Sequence, residues 1–231
     1  MTVSKRTLTS TVGIKYLVAV SGATLVTFVF FHMLGNLQIF LGADALNTYA
    51  ALLKSSPGLI WAARAGLLAA LAVHVWGIAT LSIRNRAARA RGYDTKRPLL
   101  SSFASRHMLL SGLVLLAFVA YHLLHFTVGA THPEHFGLYD GQGRHDVYSM
   151  VVLGFRQPAV SISYILAMGL LGLHLAHGIG SAFRSAGLSG PRLRSTLEGC
   201  GRLVAVIVVA GNISIPLACM AGLLQPFSEV L

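Results

Sequence analysis

The 231-residue sequence predicts an all-α integral membrane protein, a bundle of five transmembrane helices, and three observations carry that expectation. Only 11% of the residues are charged and 55% are apolar, against about 25% charged in an ordinary soluble domain. Five apolar stretches reach the roughly 17–25 residues needed to cross ~30 Å of hydrocarbon. The 18 Lys and Arg outnumber the 7 Asp and Glu to give a net charge of +11, and they fall mostly on one side of the five-span pattern. Backbone polar groups in lipid must be hydrogen-bonded within their own segment, so each stretch reads as a helix.

The first span runs from about Gly13 to Leu41, behind an N-terminal MTVSKRTLTSTVG that has no A-x-A-like cleavage site and does not read as a signal peptide. The second, Gly58 to Ile83, is followed by Arg84, Arg86, Arg89, Arg91, Lys96 and Arg97. The third, His107 to Thr131, follows Arg106; the fourth, Ala159 to Phe183, ends at Arg184; the fifth, Leu203 to Leu224, follows Arg192, Arg194 and Arg202. With Lys5, Arg6 and Lys15, 14 of the 18 basic residues share one side, leaving Lys54, Arg64, Arg144 and Arg156 on the other. The positive-inside rule then places the N-terminus and the second and fourth loops in the cytoplasm, and the C-terminus outside. The chain reads as one transmembrane domain, residues 1–231, without an obvious internal repeat. Its basic excess is a topological signal and an attraction for anionic lipid, so nucleic acid is not needed as a partner.

The longest stretch outside the spans is the external third loop, HPEHFGLYDGQGRHDVYSMVVLGFRQP, expected to lie on the membrane surface with a short helix around Asp146–Gly154. Its histidines, His132, His135 and His145, have no i, i+4 pairing and no nearby Cys, and read as solvated surface residues. Cys200 and Cys219 are too few for an iron–sulfur cluster. Standing 19 residues apart on one helix, roughly 28 Å at the α-helical rise, they cannot bridge.

An ionisable residue inside a span is costly and marks function by default. Six histidines lie there: His32 in the first helix, His74 in the second, His122 and His125 in the third, His174 and His177 in the fourth. Four helices each offering an imidazole supply two opposed pairs, the donor set for bis-His ligation of two haem irons. Depth sorts them. His32 lies 17 residues from Lys15 and His122 lies 16 from Arg106, roughly 25 Å from the cytoplasmic edge. His74 lies 10 residues from Arg84, and His174 and His177 lie 10 and 7 from Arg184, roughly 10–15 Å from that edge. The first and third helices thus share an outer level, and the second and fourth an inner one. Small residues such as Gly22, Gly66, Gly77, Gly112 and Gly172 suit either close approach of a macrocycle or helix packing.

The segments FHMLGNLQIFLGADALNTYA around His32, AVHVWGIATLSIRNRAARA around His74, AYHLLHFTVG around His122 and His125, and LLGLHLAHGIGSAFRSAG around His174 and His177 give the chain its most specific features. Over nearly its whole length it resembles the di-haem cytochrome b membrane-anchor subunit of succinate dehydrogenases and fumarate reductases, the succinate:quinone oxidoreductases. The resemblance implies a multi-pass protein of the bacterial inner (plasma) membrane that binds two haem b groups through His32, His74, His122 and His177. It implies a flavoprotein and an iron–sulfur partner on the cytoplasmic face, carrying FAD and the clusters. It also implies electron transfer in the tricarboxylic acid cycle to a quinone, with menaquinone expected, and leaves room for a higher oligomer of complexes.

The motif favours His122 over His125, and His177 over the His174 that the depth count slightly prefers. His125, Asn36 and Gln38 stand near the outer level as candidate contacts to quinone, and Arg64 and Arg106 are candidates to pair haem propionates. The family's acidic residue near the outer end of the second helix has no counterpart here, where the first external loop offers only Asp44. The runner-up reading is the cytochrome b of another quinone-linked dehydrogenase or a hydrogenase. A proton-coupled transporter would need an acidic relay within the helices, which the sequence does not supply.

Overall fold

The computed structural model describes residues 9–88, 107–185, 187 and 190–227, with the side chains of 191 and 192 left aside. Lys5, Arg6, Arg89, Arg91, Lys96, Arg97 and Arg106 lie outside the described residues. Among the described residues eight helices follow one another: α1 (Thr11–Asn36), α2 (Ala43–Lys54), α3 (Pro57–Ala87), α4 (Met108–His122), α5 (Pro133–Phe136), α6 (Val147–Phe155), α7 (Pro158–Ser185) and α8 (Pro191–Met220). Five of these segments are long and apolar enough to cross a membrane: Thr11–Leu41, Pro57–Ala87, Met108–Val128, Pro158–Ser185 and Leu193–Met220. The chain is an all-α, multi-pass membrane protein.

Local chemistry sets the ends. Ser10 caps α1 by accepting from the Gly13 N–H at 3.0 Å, and α3, α7 and α8 each begin on a proline, whose missing N–H costs nothing there. α1 tightens into a 3-10 turn over Leu37–Leu41 before Gly42, at φ 102°, redirects the chain. α4 widens into a π-helix over Leu123–Val128, closed by Gly129 at φ 76°. Two boundaries depart from the expectations. The interval after the first span is itself the helix α2, too short and too polar to stand out as a span. The fifth helix begins at Pro191 rather than near Leu203, because its first turns are polar and an apolar run does not register them.

α7 is the hub. It packs along α8 over most of its length, and against α1 on one side and α4 on the other, while α3 packs on α1. Gly77 lets α3 approach α1, since a Cβ there would overlap Val18. One core lies at mid-bundle around Met33, Leu175, Ala205 and Val208. A second joins Ile39, Leu46, Val152, Phe155, Tyr164 and Ile215 beneath the third loop. The first three spans bury only 11% of their apolar window and the last two 33%, so most of the apolar side chains face outward, as helices solvated by lipid do.

The third loop is a folded cap over one end of the bundle. Asp146 caps α6, accepting from the Ser149 N–H at 3.0 Å. Asn47 of α2, 1% exposed, donates to Asp146 at 2.9 Å and to Asp140 at 3.2 Å, and accepts from the Tyr148 N–H at 3.0 Å. Arg144 reaches back to Asp44 at 2.9 Å and to Thr48 at 2.6 Å. α6 stands close to where a surface helix is expected, and α2 is the partner that pins it. At the opposite end Glu198 of α8 accepts from Arg184 at 2.8 Å and Arg194 at 2.9 Å. Glu198 is therefore an acidic residue on the fifth helix, held in ion pairs near its start and not a free relay.

Candidate functional site: two opposed imidazole pairs

His32 on α1 faces His122 on α4 with ring centroids 5.9 Å apart and planes at 85°. His74 on α3 faces His174 on α7 at 6.4 Å and 58°. The first pair lies toward the cap and the second toward the opposite end, where Arg84 and Arg184 lie. Neither α1 with α4 nor α3 with α7 is among the closely packed helix pairs, so each pair of rings reaches across an interval between backbones. Two imidazole nitrogens each bonded at roughly 2 Å to one metal hold opposed ring centroids about 6 Å apart. Both pairs stand at that separation, which fits the donor set to a shared iron.

Ligation needs a neutral ring with its lone pair on the nitrogen facing the metal, and the second nitrogen decides which one that is. Ser21 donates its hydroxyl to the Leu17 carbonyl at 2.7 Å, which leaves its oxygen to accept from His74 Nδ1 at 3.3 Å. The Val18 carbonyl accepts from the same Nδ1 at 3.2 Å. Ser111 repeats the device: it donates to the Met108 carbonyl at 3.1 Å and stands 3.3 Å from His174 Nδ1. His74, whose Nδ1 faces a carbonyl, thus carries its proton there and its lone pair on Nε2, and Ser111 offers His174 the same arrangement. Gly22 and Gly112 follow these serines, and a Cβ on them would meet the rings of His74 and His174 at 3.1 and 3.6 Å.

In the capped pair, Tyr164 of α7 places its hydroxyl 3.3 Å from His122 Nδ1 and 3.1 Å from His125 Nδ1. His32 Nε2 accepts from the Asn36 amide at 3.1 Å, one turn along the same helix. Phe28 stacks on His32 at 5.3 Å, and Phe118 lies beside His122 at 6.1 Å.

Of the residues expected at the site, the structure brings His32, His74 and His122 into the two pairs, and His174 completes the second. His177 lies one turn further toward Arg184. His125 is buried in the π turn beneath the cap, 3% exposed, with its ring 5.3 Å from that of His132. Gln38 is half-buried in the 3-10 turn. Arg64 lies over the Trp61 ring of its own helix at 4.9 Å, and Arg156 hydrogen-bonds Gln225. Arg106 is outside the described residues.

Ser21, Ser111 and Tyr164 are the functional candidates that the reading of histidines passes over. Tyr164 has no such signal; that of the two serines is an internal repeat, against the expectation of none. The pattern S-G-x5-F-V-x2-H runs from Ser21 to His32 and again from Ser111 to His122, and H-x9-R runs from His74 to Arg84 and from His174 to Arg184. The first two spans recur as the third and fourth, with each Ser-Gly doublet serving the histidine of the following span.

No family model matches the chain, and neither a curated protein nor a solved structure matches it.

Proposed function

We propose that the chain is the membrane-anchor cytochrome b subunit of a succinate:quinone oxidoreductase, binding two b-type haems through His32 with His122 and His74 with His174. The observation that carries this reading is the pair of imidazole couples in neighbouring registers, with the His74 and His174 Nδ1 groups occupied by hydroxyl or carbonyl acceptors. When bound, such haems supply a stepwise one-electron path across the bilayer. The residues of the chain would do the rest: Ser21, Val18 and Ser111 would hold His74 and His174 in the ligating tautomer, Tyr164 would orient His122, and Asn36 would stand beside the His32 ring. His174 replaces the motif-preferred His177 in this assignment.

The sorted charge supports placing the end with Arg84 and Arg184 in the cytoplasm; on this reading a flavoprotein with FAD and an iron–sulfur subunit dock there, and the membrane is a bacterial inner membrane. The capped end then faces outward, with His125, Asn36 and Gln38 near the level at which quinone, of the menaquinone type, exchanges electrons. Haem content of purified variant complexes tests the assignment. His174→Ala is expected to lose one of two haems while His177→Ala keeps both. Loss on His177→Ala with retention on His174→Ala would return the ligand to the motif position, and retention of both haems in His32→Ala and His174→Ala would remove the paired-ligand reading.

A further inference from the structure

Beneath its surface the cap assembles a second set of ligand-bearing side chains, separate from the paired imidazoles. The sequence H-P-E-H winds one helical turn, α5, that carries Glu134 and His135 with His132 at its entry. His132 Nδ1 stands 3.3 Å and His135 Nε2 3.8 Å from the same Glu134 Oε1, and the three ligand atoms lie within 4.8 Å of one another. Ligands held at ~2.0–2.1 Å from a tetrahedral ion are about 3.3 Å apart. The His132–Glu134 distance is already there, the Glu134–His135 distance closes by rotation of Glu134, 61% exposed at its side chain, and the two rings close on each other by a small turn of their own.

The turn is fixed from both sides. Gly129 admits Phe136 where a Cβ would overlap it, and the Phe136 carbonyl accepts from His145 Nε2 at 2.7 Å. His132 and His135 stack at 5.3 Å, with side chains 21% and 18% exposed, so the cluster is shielded below and open to water above. His135 Nδ1 is buried and has no hydrogen-bond partner among the described residues. A proton carried there leaves the lone pair of Nε2, the nitrogen on the side of Glu134, for an ion. Two imidazoles and one carboxylate with an open fourth position are a donor set for zinc-like ions and not for calcium or magnesium, which take oxygen ligands.

The geometry points to a binding site for one divalent transition-metal ion of the zinc class, held by His132, Glu134 and His135 with water completing the shell. It is independent of the haem assignment. His145, whose ring is engaged by Phe136 and Lys54, is the loop histidine that takes no part.

Equilibrium dialysis of the purified full chain, in its complex, against Zn2+ tests the site. The wild type is expected to take up one additional zinc per chain. His132→Ala/His135→Ala is expected to lose it, and Glu134→Gln, at an exposed side chain, to bind more than about tenfold more weakly. Should the double variant fail to assemble, Glu134→Gln alone decides for or against the site. No zinc uptake by the wild type, or uptake unchanged by Glu134→Gln, would overturn it.

Discussion

A serine hydroxyl in a membrane helix usually returns its proton to the carbonyl one turn back, as Ser21 and Ser111 do. That local habit turns the oxygen into an acceptor, and each such oxygen here stands 3.3 Å from the Nδ1 of a histidine of the second pair. Such a bond makes the imidazole a stronger donor to its metal. Ser111→Ala is therefore expected to keep both haems and to raise the midpoint potential of the haem held by His174, leaving the other unmoved in a redox titration. Ser21→Ala should act in the same direction but less, since the Val18 carbonyl still accepts from His74. A shift confined to the His32/His122 haem, or none in Ser111→Ala, would contradict the assignment. The histidines themselves were legible because a titratable group in hydrocarbon stands out against its neighbours. The serines leave only the recurrence of their doublet, since a serine that packs or self-bonds looks the same in sequence and the doublet that precedes His32 serves His74 instead. The choice of His174 over His177 needed the direction of the side chains, which depth along an axis does not give.

At the scale of elements, the five spans follow from apolar length alone, whereas the cap does not. α2 and α6 are held by a single buried amide, Asn47, and by the Arg144 contacts, and such long-range pairings leave no periodic trace in the chain. His145 gives this cap a pH dependence. Burial lowers its imidazole below the ordinary value, the Lys54 charge adds to that, and the Phe136 carbonyl and Asp146 oppose it. His135, also lowered by burial, shifts in the same sense. The unfolded loop thus binds protons more readily than the folded one. The stability from neutral His145 is fully present above the unfolded value of about 6.5 and is lost as pH falls below it through the folded value. Hydrogen exchange over residues 138–148, corrected for intrinsic rates, is expected to show weaker protection at about pH 5.5 than at about pH 7.5, and a smaller difference in His145→Gln. Protection that rises on acidification would contradict this sign.

For the whole molecule, low charge and a one-sided basic excess describe an oriented membrane protein, and the recurrence of the first two spans in the third and fourth describes how it holds two similar sites. Each span contributes one ring, the packed helix pairs leave the interval between the partners of each couple, and α8 braces α7 from outside the set. The cytoplasmic position of the basic end rests on charge, much of it in segments outside the described residues. Everything proposed for the electron path depends on both couples holding iron. The pyridine-haemochrome content of the purified, folded wild-type protein, together with a potentiometric titration of its reduced absorption, decides that point. Two b-type haems per chain are expected, titrating as two separate one-electron steps; an intact and folded chain carrying no haem would contradict the paired-ligand assignment.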